Sequence, residues 1–226
     1  MKSKNWWPNH YSQSQIENYE VQRQSKKWRS EQIFIRNILR GEGKKLQVSN
    51  LLDAPSGTGR FFQIYKEINI SDITALDVSH AMLNKSKLKT GGLEKINFVQ
   101  GDISKLPFAD KSFDYTVCWR FITWVPANKI QVVLNELNRV TNRKILISIY
   151  FWNNSYSWRR ILFFIKNVVN KKIFKSYIRI QNKEKFYAIA KKNNLIVENE
   201  IKLDQNNSTN YVGLVLKRKD ITTPDA

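Results

Sequence analysis

Asp53, Pro55, Gly57, Gly59 and Arg60 crowd into the stretch LLDAPSGTGRFF, residues 51–62. An apolar run that ends in a carboxylate and passes into a glycine-rich turn brings bare backbone, and one negative charge, close to a ligand. Spacing narrows the ligand. A phosphate-binding Walker loop needs Lys and then Ser or Thr after its last glycine, and here Arg60 and Phe61 follow Gly59. A dinucleotide fingerprint needs a third small residue for close helix packing; counted from Gly57, that position is Phe62, which weakens the reading. Charge adds a second argument. A pyrophosphate on this turn would face Asp53, whereas an ammonium or another cationic centre would suit it.

Asp77 ends the run ITALD, 24 residues after Asp53, where an acid at the end of a second strand reaches ribose hydroxyls. S-adenosylmethionine offers both features, a cationic end and a ribose. Asp77 also reads as a neighbour of a helix N-cap, with Ser79 the better cap for the segment HAMLNKSKL. Met82 by itself reads as core, and His80 as an exposed first-turn residue.

These residues need elements to hold them. Residues 46–150 alternate short apolar runs (VSNLLDA, ITALDV, INFVQGD, FDYTVCWR, KILISIYF) with GRFFQIYKEI, SHAMLNKSKLK and ANKIQVVLNELNRV, each long enough for a helix. That rhythm predicts a parallel sheet covered on both faces. Ahead of it, QIFIRNILR places Ile33, Phe34, Ile38 and Leu39 on one helix face, with Gly41 and Gly43 as the stop. After a break at residues 151–185, a helix near KEKFYAIAKKNN and strands at LIVENEIKL and NYVGLVLKRK resume the pattern, and the last six residues read as a frayed end.

Four blocks in order, LLDAPSGTGR, ALDVSHAML, VQGDISKLPFADKSFDYTVC and VLNELNRVTNRKILISI, resemble the class I S-adenosylmethionine-dependent methyltransferases, of the kind that act on small molecules. The resemblance covers about residues 46–150. Pro55 stands where that family's first motif has its first glycine, a variant that removes one N–H. The resemblance implies an α/β fold: a Rossmann-like, seven-stranded, mostly parallel sheet with helices on both faces, an N-terminal helical cap and an insertion after the fifth strand. It implies that Asp53 and the backbone of Gly57 and Gly59 hold the methionine end of S-adenosylmethionine, with Arg60 beside them. Asp77 would bind the ribose, Met82 would flank the adenine, and Asp102 with the Ile103 N–H would meet its edge. Ala54, Pro55, Val78 and Trp119 complete the implied cofactor set. Asp114 matches the family's structural acid before the fourth strand.

The resemblance implies methyl transfer to oxygen or nitrogen of a small molecule or glycan, achieved mainly by positioning. The acceptor face should begin where the fourth strand ends, at Trp119, Arg120, Thr123 and Trp124. The chain has two histidines, His10 and His80, and neither lies there. His10 remains a candidate base from the N-terminal segment, in which Tyr11, Tyr19 and Arg23 are placed either to close over the site or on an amphipathic surface helix. No Asn/Asp-Pro-Pro-aromatic motif follows the fourth strand, which argues against methylation of exocyclic amines. Cys118, the single cysteine, lies in an apolar run and reads as a buried thiol, not a nucleophile. No cluster suited to a metal is present in the sequence.

The chain of 226 residues carries 38 Lys and Arg against 19 Asp and Glu, a net charge of +19 that favours polyanionic partners. A biased composition rich in Asn, Ile and Lys discounts that argument. Residues 155–180 hold seven Lys or Arg and no acid, among them Arg159, Arg160, Lys166, Lys171, Lys172 and Lys175. With Ile161, Leu162, Ile165, Val168 and Val169 at helical spacing, the segment fits a solvated lid over the acceptor, a membrane interface, or RNA. Four parts follow: an N-terminal helical cap (1–45), the S-adenosylmethionine-binding core (46–150), a basic amphipathic insertion (151–185) and a C-terminal helix with two strands completing the core (186–220). The expected place is cytoplasmic, with peripheral contact at a membrane surface left open. Two rival functions stand beside the main reading: a methyltransferase working at RNA or a membrane surface, and a cofactor-binding module without activity.

Overall fold

The apolar runs at 50–53, 72–77, 113–118, 145–151 and 209–216 fold as strands nearly all of whose residues are covered from both sides, while those at 96–100 and 195–205 form the half-covered edges of the sheet. The computed structural model of the chain describes residues 26–43, 50–90, 95–152, 180–205 and 209–219. Strands β1 (Asn50–Asp53), β2 (Asp72–Asp77), β3 (Ile96–Gln100), β4 (Phe113–Cys118), β5 (Thr141–Trp152), β6 (Leu195–Gln205) and β7 (Thr209–Arg218) make one sheet. Its order is β3-β2-β1-β4-β5-β7-β6. The pairs from β3 to β5 are parallel, and β7 runs antiparallel to both β5 and β6. The expected seven-stranded, mostly parallel, Rossmann-like sheet is therefore the fold observed. From β1 the chain builds outward through β2 and β3, then returns to the other side of β1 with β4. That reversal opens a crevice at the carboxyl ends of β1 and β4, where open α/β sheets bind ligands.

Five helices cover the sheet among the described residues: α1 (Lys26–Gly43), α2 (Phe62–Glu67), α3 (His80–Lys87), α4 (Ala127–Val140) and α5 (Lys183–Lys192). Alternation along the strands divides the core in two. Leu52, Leu76, Cys118 and Ile147 join α4 and α5 on one face, while Leu51, Ile73, Tyr115 and Val117 join α1 and α2 on the other. Helix α4 buries Ile130, Val133, Leu134, Leu137 and Val140, a stripe of three- and four-residue spacings. Truncating one of them, as in Leu134→Ala, removes about 2–5 kcal/mol of stability.

Helix α1 ends at Gly43 but presents a different face from the one its sequence suggests. Its buried residues are Glu31, Phe34, Ile35 and Leu39, while Ile33 is 47% exposed and Ile38 is half-buried. Ile33 stands two residues from both Glu31 and Ile35, about 200° round the helix from each, and so faces away from the sheet. The helix reaches β7 closely because Gly213 lies beneath it. A Cβ there would stand 2.8 Å from the Phe34 ring. His10, Tyr11, Tyr19 and Arg23, and the basic residues Arg159 to Lys175, lie outside the described residues.

Candidate functional site

Two strands staple the glycine loop. The Ala54 N–H donates to the Val117 carbonyl at the end of β4 (2.9 Å), and the Ser56 N–H donates to the Leu76 carbonyl in β2 (2.8 Å). Gly57 and Gly59 have φ of +54° and +70°, a region costly for residues with a Cβ. At Gly59 space is lacking as well, since a Cβ would come within 2.7 Å of the Phe62 ring, whereas at Gly57 it would meet nothing within 4 Å. The side chain of Phe62 thus packs directly onto the loop. Asp53, 2% exposed, accepts a hydrogen bond from the Tyr65 hydroxyl (3.2 Å). Burial, and then the negative charge of Asp53, push the Tyr65 phenol well up, so it stays a donor.

Asp77 laces the next strand to this loop. One carboxylate oxygen accepts from the Gly57 N–H (2.9 Å), the other from the Ser79 N–H (2.8 Å). Burial raises its pKa, and the N–H bonds from Ser79, Gly57 and Val78 oppose the rise. Ser79 caps α3 by accepting from the Met82 N–H (3.3 Å), which leaves Met82 buried and His80 exposed. The Asp77 carbonyl also receives the Gly101 N–H (3.1 Å), which joins the end of β3. Asp102 then closes a turn by accepting from the N–H and the hydroxyl of Ser104 (2.7 and 2.8 Å), with Ile103 buried beside it.

At the end of β4 the chain turns sharply. Trp119 is buried against Phe34 and Phe61, with ring centroids 5.3 and 5.6 Å away, and its indole N–H has no partner among the described residues. Arg120 takes a φ of +54°, its N–H donating to the Ser148 hydroxyl oxygen (2.8 Å). Its Nε donates to Glu31 (2.8 Å). The same carboxylate accepts from Arg60 Nη2 and from the Tyr211 hydroxyl (2.6 Å). Burial, followed by the Glu31 charge, raises the Tyr211 phenol well above its usual range, so it too is a donor. Thr123 is buried and Trp124 half-buried in the 3₁₀ turn Ile122–Trp124. Cys118 is buried, and burial pushes its thiol up, as befits core packing.

The structure thus brings Asp53, Gly57, Gly59, Arg60, Asp77, Asp102, Trp119 and Arg120 to one edge of the sheet, at the ends of β1 to β4. Four residues there escaped the sequence reading: Glu31, Ser56, Tyr65 and Tyr211. Glu31 had a signal, an acid in phase with the apolar stripe of α1. The loop suits the amino-acid end of S-adenosylmethionine. Asp53 and Arg60 are its two charged side chains and carry opposite signs, and the buried Ser56 hydroxyl has no partner among the described residues. Asp77 lies at the adjacent strand end, bonded to the loop through the Gly57 N–H. No group of three His, Cys, Asp or Glu among the described residues is arranged to hold a metal ion.

Residues 52–147 match the family model described as a methyltransferase domain. The demethylmenaquinone methyltransferase of Staphylococcus aureus strain MRSA252 is 37% identical over 91 residues, which is 39% of this chain and 37% of that protein. The chain therefore aligns with little more than a third of the curated relatives it matches. Among solved structures, the magnesium protoporphyrin IX methyltransferase of Synechocystis PCC 6803 with bound SAH superposes with a TM-score of 0.70 at 11% identity, covering 90% of this chain and 94% of that one. The PH0226 protein of Pyrococcus horikoshii OT3 superposes with a TM-score of 0.63 at 22% identity, covering 90% and 99%. At these identities the superpositions establish a shared fold.

Proposed function

We propose that this chain, whose residues 52–147 match a methyltransferase domain, is a class I S-adenosylmethionine-dependent methyltransferase that moves a methyl group to an oxygen or nitrogen of a small-molecule or glycan acceptor. The observation that carries the cofactor reading is the pair of buried, opposite charges at the two ends of the glycine loop, Asp53 and Arg60, beside Asp77 on the next strand. Bound there, S-adenosylmethionine supplies a methyl group on a sulfonium, already activated for attack. What the chain must add is alignment and the exclusion of water, and alignment alone lowers such barriers by several kcal/mol.

The chain's own groups fit that task. Asp53 faces an ammonium, Asp77 accepts from ribose hydroxyls, and the Gly57 and Gly59 backbone lets the ligand lie close. Arg120 and Trp124, both part-exposed after β4, stand on the acceptor side. Among the described residues the one histidine, His80, is exposed on α3 and within 3.2 Å of the Asn84 amide. Proton transfer by imidazole is therefore not part of the described site, and an acceptor already nucleophilic at neutral pH suits it best.

Calorimetric titration with S-adenosylhomocysteine, wild type beside Asp77→Ala, tests the cofactor reading. Micromolar binding that collapses in the variant supports it, and no binding by the wild type overturns it. Methyl turnover on any acceptor would exclude a non-catalytic binding module.

A second reading places the acceptor at an anionic surface, favoured by the net charge of +19 and by the seven basic residues without an acid in 155–180. No helix among the described residues is long and apolar enough to cross a membrane. Binding to vesicles rich in anionic lipid that falls steeply with salt supports this reading, and RNA in the same buffers separates the two polyanions.

A further inference from the structure

We propose that Glu31 is a positioning residue for the cofactor: by anchoring Arg60 it fixes the cationic end of the glycine loop, the end that receives the carboxylate of the amino-acid moiety. This rests on the cofactor reading above and adds to it a residue of α1, outside the matched domain.

Glu31 is fully buried, and its partners come from three separate elements. Arg60 closes the glycine loop, Arg120 follows β4, and Tyr211 lies on β7. Folding gives little reason for such a carboxylate. Its position belongs to the apolar stripe of α1, and an apolar residue there would avoid the several kcal/mol that desolvating an ion costs. A buried charge cluster kept at a ligand crevice is better explained by what it holds in place.

The charges add up to a ligand preference. Two guanidinium groups meet at the Glu31 carboxylate, and the Tyr211 phenol beside them stays protonated, so this end of the loop presents cationic side chains. At the other end of the loop, Asp53 is buried and negative, with neutral Tyr65 against it. Positive and negative ends therefore flank Gly57 and Gly59. A zwitterionic α-amino acid complements that arrangement, its ammonium toward Asp53 and its carboxylate toward Arg60. An arginine left to itself samples many rotamers, whereas one pinned by an ion pair reaches a ligand carboxylate at a smaller entropic cost. Arg120 serves the same clamp. Its left-handed backbone is tolerated because Ser148 holds its N–H while Glu31 holds its side chain.

The test uses two probes on the full chain, S-adenosylhomocysteine and 5′-methylthioadenosine, the second keeping adenosine and sulfur but lacking the ammonium and carboxylate. Glu31→Gln preserves shape and removes the charge. Expected is a loss of about tenfold or more for S-adenosylhomocysteine, the scale of one charge-assisted hydrogen bond. Affinity for 5′-methylthioadenosine should stay within about twofold. Equal losses for both probes, or no loss for either, overturn the inference and leave the cofactor reading standing. Wild-type protein that binds neither probe overturns both. Should Glu31→Gln fail to fold, Tyr211→Phe takes one donor from Glu31 and leaves both ion pairs. It should weaken S-adenosylhomocysteine selectively by about threefold; an unselective change overturns the inference equally.

Discussion

Among the described residues, two arginine–carboxylate clusters are built from the same kinds of side chain to different ends. On the flank between α4 and the β3–β4 connection, Arg139 donates to the carbonyls of Leu106 and Phe108 (3.0 and 2.7 Å), to Glu136 and to Asp110. Glu136 in turn accepts from the Leu106 N–H (2.7 Å). Most of those partners belong to one connection, much of it backbone, and the cluster is half-open to water. The Glu31 cluster is closed to water around its carboxylate, and Glu31, Arg60, Arg120 and Tyr211 come from four distant parts of the chain. A cluster that binds backbone within one loop shapes that loop. One that gathers side chains from four elements at the mouth of a crevice sets their mutual positions, and with them the ligand's.

The largest effect should come from emptying the buried cluster. Glu31→Ala removes the buried carboxylate that Arg60 and Arg120 share and should cost about 3–5 kcal/mol of folding stability in urea titrations. If it costs no more than truncating Arg139, the contrast between the clusters collapses. Asp77 comes next. It joins the glycine loop, α3 and β3 through bonds made by its carboxylate and carbonyl. Asp77→Ala should remove about 2–3 kcal/mol of S-adenosylhomocysteine affinity, the scale of hydrogen bonds to a charged group. Retained affinity would move the ribose elsewhere and detach the crevice from both clusters.

How much of this could be seen in the chain alone follows from the distances involved. The central strands were visible because NLLDA, ITALDV and ILISIYF are buried on both faces and so read as continuous apolar runs. Asp77 was visible because a strand end after one βαβ unit falls at a fixed interval from the first. Glu31 was hidden by its type: it lies in phase with Phe34, Ile35 and Leu39 on α1, but an acid in an apolar stripe reads as a surface residue. Tyr211 was hidden by separation, since 180 residues lie between it and its partner. Arg120 gave no sign of its left-handed backbone, which Gly or Asn would have announced. Trp119 was noticed for its place after β4, while its burial between Phe34 of α1 and Phe61 at the entry to α2 depends on neighbours that only the fold brings near.

The half-open cluster supplies the smaller and more discriminating effects. Arg139→Ala should cost about 1–2 kcal/mol of stability, because several hydrogen bonds are lost but water can replace them. The same loop begins at Asp102, expected at the adenine. Whatever affinity is lost should therefore be lost equally for S-adenosylhomocysteine and 5′-methylthioadenosine, the reverse of the Glu31→Gln pattern. A selective loss would erase the division of labour between the clusters.

The smallest effect is one of pH. Glu136 is held below the usual carboxyl range, first by its hydrogen bond from Arg139, against an opposing push from burial. A carboxyl with a depressed folded pKa stabilises the fold fully above its unfolded value of about 4.3. That contribution drains away as pH falls through the lower, folded value. Between pH 6 and pH 3 the urea midpoint of the wild type should therefore fall more steeply than that of Glu136→Gln, by less than about 1 kcal/mol because the pair is partly exposed. Parallel curves would mean that Arg139 holds the loop through the carbonyls of Leu106 and Phe108 alone. The flank cluster would then be a backbone clamp that happens to contain a carboxylate, and the contrast with Glu31, whose charge is the point of its cluster, would be sharper still.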